Sequence, residues 1–209
     1  EHAEQYRCCV VTPYMFGTTY RVNQIMGRKT IHIPCLHDET FARFAIYHEM
    51  LEEAGGILFN APEEQQLARR LGIRNPWAQV VGLGFAEAQL GDAAAFRQRY
   101  GLGDDPFLLY SGRFEVPKNL PLLLEYFQRY KREHPSPLRL ALIGRGPVPI
   151  PQQPDIVDLG FFRPGTMSDA LAAATALVQL SVNESFSIVI MEAWQQGRLV
   201  EHVFCAFLG

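Results

Sequence analysis

The sequence has no CxxC pair, no long apolar run, no excess of one charge and no internal repeat, and each absence removes a class of protein. Its four cysteines, Cys8, Cys9, Cys35 and Cys205, lack the spacing that frames a small secreted disulfide scaffold. Reduced thiols in a cytoplasmic setting are therefore expected. No apolar stretch approaches the roughly 20 residues that a membrane-spanning helix requires. The opening residues EHAEQYRCCVV carry neither the basic nor the apolar region of a signal peptide. With a formal net charge of -3 and 20% charged residues, the chain offers no broad electrostatic grip on nucleic acid. It also lacks an initiator Met and a polar tail, so a segment cut at both ends is expected.

What remains is 209 residues, 48% of them hydrophobic, enough to bury one large core or two small ones. Strand and helix signals alternate throughout, which predicts an α/β fold with mostly parallel sheets. In the first half, strands are expected in YRCCVVTPY, KTIHIPCL, GGILFN and WAQVVGLGF. Helices are expected around 20–26, from about Thr40 to Glu53, and over APEEQQLARRLG, with Glu63 and Glu64 at its positive end and Arg69 and Arg70 at its negative end. From Asp104 the pattern restarts with the strand PFLLYSGR. A helix follows, with Asn119 as N-cap and Leu120, Leu123, Leu124, Phe127 and Tyr130 on one apolar face. The strands LRLALIG, DIVDLG and ALVQLS complete this half, with a helix opened by Ser168 before the last. Two Rossmann-like units are predicted, over 1–85 and 86–209, with the junction near residues 86–100.

In open parallel sheets, ligands collect at the carboxyl ends of strands, so the residues after each strand of the second half are the ones to inspect. After PFLLYSG come Arg113 and Lys118, cations suited to a phosphate. After LRLALI comes Gly144-Arg145-Gly146-Pro147, a turn that allows close backbone approach. After ALVQLS come Asn183 and Glu184, then a helix read as starting at Ser185, whose free N–H groups suit an anion. Glu192 follows eight residues after Glu184, about 12 Å along a continuous helix. It stands inside the apolar string IVIMEAW, where a carboxylate needs partners. Each feature alone has an ordinary alternative. Arg113 and Lys118 could be solvated surface, Glu184 a helix-dipole cap, and the glycine turn a plain connection.

Taken in order, GR followed by KN, then LALIGRGP, DIVDLGFF and NESFSIVIMEAWQQG resemble the C-terminal nucleotide-binding domain of the retaining GT-B glycosyltransferases of family GT4, over about Asp104 to Gly197. The resemblance implies two Rossmann-like units of GT-B type, the N-terminal one incomplete. It implies transfer of a sugar from a UDP-, GDP- or ADP-sugar to a hydroxyl acceptor, glycan or lipid-linked, with no metal or other cofactor. Arg113 and Lys118 would contact the donor diphosphate and stabilise the leaving group, Glu184 would face the donor-sugar hydroxyls, and Glu192 would bind the ribose. Gly144, Gly146 and the strand end with Phe161 would flank base and ribose. Ser185, Phe186 and Ser187 would line the donor, Ser187 standing where the family usually has glycine. In the first half, KTIHIPCLHDE resembles the strand and loop that present a His to the donor, which points to His37. His37, Asp38 and Glu39 could equally form a polar strand end and helix cap. A metal set of His37, Asp38, His48 and Glu49 has no recognised ligand spacing. By the same resemblance the protein is expected in the cytoplasm, with peripheral membrane contact through absent segments and a place in envelope polysaccharide assembly. A non-catalytic nucleotide-sugar-binding remnant and a sugar-nucleotide epimerase of the same fold are the alternatives.

Overall fold

The computed structural model describes residues 2–84, 89–161, 166–181 and 187–202. The chain divides into two compact units, the first reaching Gly84 and the second holding the described residues from 89 onward.

In the first unit the β-branched runs form β1 (Cys9–Val11), β2 (Thr30–His32), β3 (Gly56–Phe59) and β4 (Ala78–Val80). They pair in parallel, in the order β1-β2-β3-β4. The crossovers are α1 (Gly17–Met26), α2 (Ala45–Glu53) and α3 (Pro62–Arg70). The helix expected from Thr40 is broken: residues Thr40–Arg43 form a 3-10 turn, and Phe44, in extended backbone, starts α2 afresh. Leu36, Met50, Leu51, Ile57, Phe59 and Leu67 fill the core, each no more than 1% exposed. Every such side chain contributes roughly 1.5–3 kcal/mol of burial free energy.

In the second unit α4 (Ala93–Tyr100) opens on Asp92, whose side chain accepts from the N–H of Ala95 at 2.9 Å. Strands β5 (Phe107–Ser111), β6 (Arg139–Ile143), β7 (Ile156–Asp158), β8 (Ala176–Gln179) and β9 (Leu199–His202) form one parallel sheet in the order β7-β6-β5-β8-β9. Its helices are α4, α5 (Leu120–Glu133), α6 (Thr166–Ala173) and α7 (Ile188–Gln195). The period-2 alternation of the strands divides the core into two layers. Phe107, Leu109, Ala141 and Ile143 face α4, α6 and α7, whereas Tyr110, Leu140 and Leu142 face α5. Because the sheet grows from β5 to one side and then restarts at β8 on the other, the carboxyl ends of β5 and β8 mark a topological switch point, where this architecture leaves a crevice for ligands.

Several local expectations are corrected. Asn119 stands at the N-cap of α5 but in left-handed backbone (φ 53°), and its side chain makes no cap bond. Its amide instead donates to the carbonyl of Leu180 at 2.8 Å. Tyr130, at the end of the apolar stripe, is 44% exposed. Helix α6 opens at Thr166, not Ser168, and α7 opens at Ile188, not Ser185. Strand β9 pairs in parallel with β8.

One layer of the first unit is polar. Asn23 of α1 and His32 of β2 are buried and meet at 3.0 Å, with the imidazole Nε2–H donating to Oδ1 of Asn23. Burial lowers the His32 pKa to about 4, and Nδ1 finds no partner among the described residues. A histidine held below its unfolded pKa stabilises the fold above pH 6.5 and loses that contribution as pH falls through the folded value. Stability should therefore drop by about 3 kcal/mol between pH 7 and 4 from this group alone. Thermal melting of the wild type and His32→Gln over that range should show a shallower pH slope in the variant.

Candidate functional site

Arg113 and Lys118 lie on the segment that joins β5 to α5, directly past the switch point. The hydroxyl of Tyr110 donates to the carbonyl of Arg113 at 2.8 Å and holds the segment as it leaves the sheet. The Arg113 guanidinium reaches Glu115 at 3.1 Å, an ion pair that is 69% exposed on the arginine side and so contributes little to stability. Lys118 closes a 3-10 turn, its N–H bonded to the carbonyl of Glu115 at 3.2 Å. Asn119 to Leu180 and Gln179 to the carbonyl of Ser111, at 2.8 and 2.7 Å, tie the segment after β8 to the one after β5. The backbone that carries both cations is thereby tied to the segment after β8.

The glycine turn after β6 has a structural cause. Gly144 (φ 153°) and Gly146 lie so close to the backbone of Gly112 and Phe114 that a Cβ at either would strike a carbonyl. Phe114 and the turn exchange backbone bonds, from Phe114 N–H to Arg145 at 2.9 Å and from Val148 N–H to Phe114 at 3.0 Å. The turn after β7 joins them, Gly144 donating to the carbonyl of Gly160 at 2.9 Å. The Arg145 guanidinium lies 4.3 Å from the centre of the Phe161 ring, which is 65% exposed. Three strand ends thus make one braced surface, with the Arg145–Phe161 stack on top.

Glu192 falls in the second turn of α7, half-buried, and desolvation pushes its carboxyl pKa up. Ser187 takes the N-cap position without a side-chain cap bond. Glu184, Ser185 and Phe186 lie outside the described residues, so the 12 Å helical span drawn between the two glutamates has no counterpart in the described helix.

In the first unit His37 follows β2, and its carbonyl accepts from the N–H of Glu39 at 2.9 Å. Asp38 pairs with Arg43 at 2.7 Å, Glu39 accepts from the Tyr14 hydroxyl at 2.8 Å, and a ring nitrogen of His48 contacts the carbonyl of Ala42 at 2.7 Å. Among the described residues no group of three or more His, Cys, Asp or Glu could hold a metal ion. Likewise, no described helix is long and apolar enough to cross a membrane.

Sequence reasoning missed Glu64. It is 1% exposed, and its two carboxylate oxygens accept from Leu36 and Asn60, each at 2.7 Å. Burial raises its pKa against the pull of these backbone N–H groups. It therefore clamps the loop that presents His37 to the loop that opens α3. The available signal was its place at N3 of a helix with a poor N-cap, Ala61, where a glutamate reaches back to preceding N–H groups.

Residues 105–200 match the family model described as Glycosyl transferases group 1. An uncharacterized glycosyltransferase of Methanocaldococcus jannaschii is 28% identical over 160 residues, 72% of this chain and 39% of the relative. HepE of Anabaena in complex with UDP-glucose superposes with a TM-score of 0.77 at 17% identity, over 96% of this chain and 60% of that one. Sucrose-phosphate synthase from Thermosynechococcus elongatus gives 0.75 at 19% identity, over 96% of this chain and 57% of that one. The fold is therefore that of GT-B glycosyltransferases, with two Rossmann-like units. The family match covers the unit that holds Arg113, Lys118, Gly144, Gly146, Phe161 and Glu192. The chain spans well under half of the archaeal relative and about three-fifths of HepE.

Glu64→Ala would leave the buried N–H groups of Leu36 and Asn60 without acceptors, at about 1–3 kcal/mol each. Urea unfolding of the first unit should show a loss of that size, with faster amide exchange at Leu36 and Asn60. Glu64→Gln should recover no more than half, because its amide NH2 would face one of the two donors.

Proposed function

We propose that this chain carries the donor-binding part of a retaining glycosyltransferase that uses a UDP-sugar. What supports this reading is that Arg113 and Lys118 follow β5 and Glu192 stands in the helix after β8, in a sheet whose sequence matches Glycosyl transferases group 1. Uridine is favoured as the base because HepE is bound to UDP and UDP-glucose and the pneumococcal O-GlcNAc transferase GtfA is bound to UDP and GlcNAc.

In the reaction, the bond between the anomeric carbon and the diphosphate oxygen breaks, and the acceptor oxygen bonds to that carbon. The acceptor hydroxyl proton leaves with the nucleoside diphosphate. Negative charge grows on the departing diphosphate, and Arg113 and Lys118 oppose it in fixed positions, with no reorganisation required at the moment of bond cleavage. Glu192, ionised, accepts from both ribose hydroxyls and orients the nucleotide. Glu184 holds donor-sugar hydroxyls. Ser187, at the N-cap of α7, lines the donor, and the Arg145–Phe161 stack with Gly144 and Gly146 borders the base.

Calorimetric titration with UDP, GDP and ADP tests this reading. UDP should bind best, and Lys118→Ala and Glu192→Ala should each weaken it about tenfold or more, the loss of one charge-assisted hydrogen bond. Because Glu192 protonates at a higher pH than an exposed glutamate, UDP affinity should fall as pH drops through that raised pKa, and Glu192→Gln should flatten the profile. No nucleotide binding by the folded chain would overturn the assignment. Isomerised UDP-sugar in the absence of acceptor would replace transfer by epimerisation.

A further inference from the structure

The second unit accounts for a donor, but the first unit carries a surface that the donor does not explain. At the carboxyl end of β2, where a parallel sheet presents its ligands, the chain displays aromatic rings in a fixed array. Phe41 and Phe44 meet edge to face with centres 5.7 Å apart, and Phe44 lies parallel to Tyr47, 6° between planes and 6.4 Å between centres. Tyr47 is anchored from behind by an edge contact to buried Tyr14 at 5.0 Å and by its hydroxyl, which donates to the carbonyl of Met15 at 3.3 Å. Tyr14 is in turn held by Glu39. The array is rigid, yet Phe41 is 51% exposed and Phe44 46%.

Polar groups border these rings. The Asp38–Arg43 ion pair belongs to the same short segment, with Arg43 between the two phenylalanines in sequence and bonded to the carbonyl of Glu39 at 3.2 Å. A carboxylate and a guanidinium already paired offer both acceptors and donors to hydroxyl groups. The segment 37–53 holds Asp38, Glu39, Glu49, Glu52 and Glu53 against Arg43 alone. Next to the rings Arg43 is already paired with Asp38 and Glu39 accepts from Tyr14, so the segment offers an anion no open cation and favours a neutral, hydroxyl-rich occupant.

We propose that Phe41, Phe44 and Tyr47, with the Asp38–Arg43 pair at their edge, form a subsite for a neutral pyranose ring of the acceptor. The sugar's apolar C–H face stacks on the rings while its equatorial hydroxyls meet Asp38 and Arg43. That the sugar belongs to an acceptor rests on the transferase reading above; that this face binds a sugar does not.

The test uses the full 209-residue chain. It is printed against a broad array of neutral glycans, and the strongest binders are followed by saturation-transfer difference NMR. In parallel the chain is titrated with UDP, and its sedimentation is measured with phosphatidylcholine vesicles with and without phosphatidylglycerol. A glycan whose C–H protons on one ring face saturate most strongly is expected. Its binding should weaken about tenfold in Phe44→Ala and in Phe41→Ala, whose melting temperatures report intact folding, and stay unchanged in Tyr126→Ala, an exposed ring of α5. Saccharide binding without UDP binding would keep this subsite and remove the transferase reading. UDP binding with no glycan bound, or glycan binding that survives both phenylalanine substitutions, would overturn the subsite and leave the donor assignment standing. Vesicle binding lost in Phe41→Ala and Phe44→Ala, with no glycan bound, would assign the face to membrane and likewise overturn it.

Discussion

The close approach of the turn after β6 to the segment after β5 is the constraint on which the second unit's site depends. Gly144 and Gly146 admit the carbonyls of Gly112 and Phe114 into space that any side chain would occupy. With that space free, the two turns exchange main-chain hydrogen bonds and the turn after β7 docks on them through Gly160. Arg113 therefore leaves a segment whose backbone is held on both sides, by Tyr110 and by Arg145. Its side chain thus starts from a fixed backbone position, which its exposed ion pair with Glu115 does not provide. The glycines, read from sequence as a place for a ligand to come near the backbone, act first as a place for the protein to come near itself.

The first unit solves the corresponding problem with a side chain. Glu64 ties two loops at the ends of β2 and β3 by accepting main-chain N–H groups deep in the interior. Asn75 does similar work at the other end of α2, its amide donating to the carbonyls of Leu51 and Ala54 at 2.9 Å each. Each substitutes for hydrogen bonds that short strands cannot supply, since β1, β2 and β4 are only three residues long.

Much of this was legible in the sequence for reasons that can be named. Alternating strand and helix signals indicated the α/β architecture, and the rule that parallel sheets bind at their carboxyl ends singled out the segments after β5 and β6 for inspection. Other features were hidden by tertiary preference over local preference. Asn119 has the composition of an N-cap, but the carbonyl of Leu180 captures its amide and the backbone turns left-handed. Thr40 to Glu53 has helical spacing throughout, yet Phe44 takes extended backbone and divides it in two. Glu64 reads as an ordinary acidic residue at a helix start, and only the neighbouring strand ends reveal that it is buried. His32 looks like one more member of a strand until Asn23 is brought against it by α1.

The clamp at Glu64 also bears on how such a protein can change over evolutionary time. Its oxygens recognise amide groups that every residue except proline possesses, so the clamp is indifferent to which side chains stand at positions 36 and 60. The loop between them and the sheet can therefore exchange side chains, His37 and its acidic neighbours included, while its path is retained. A scaffold anchored through its main chain leaves its side chains open to selection, so the chemistry of a loop can change without a new fold.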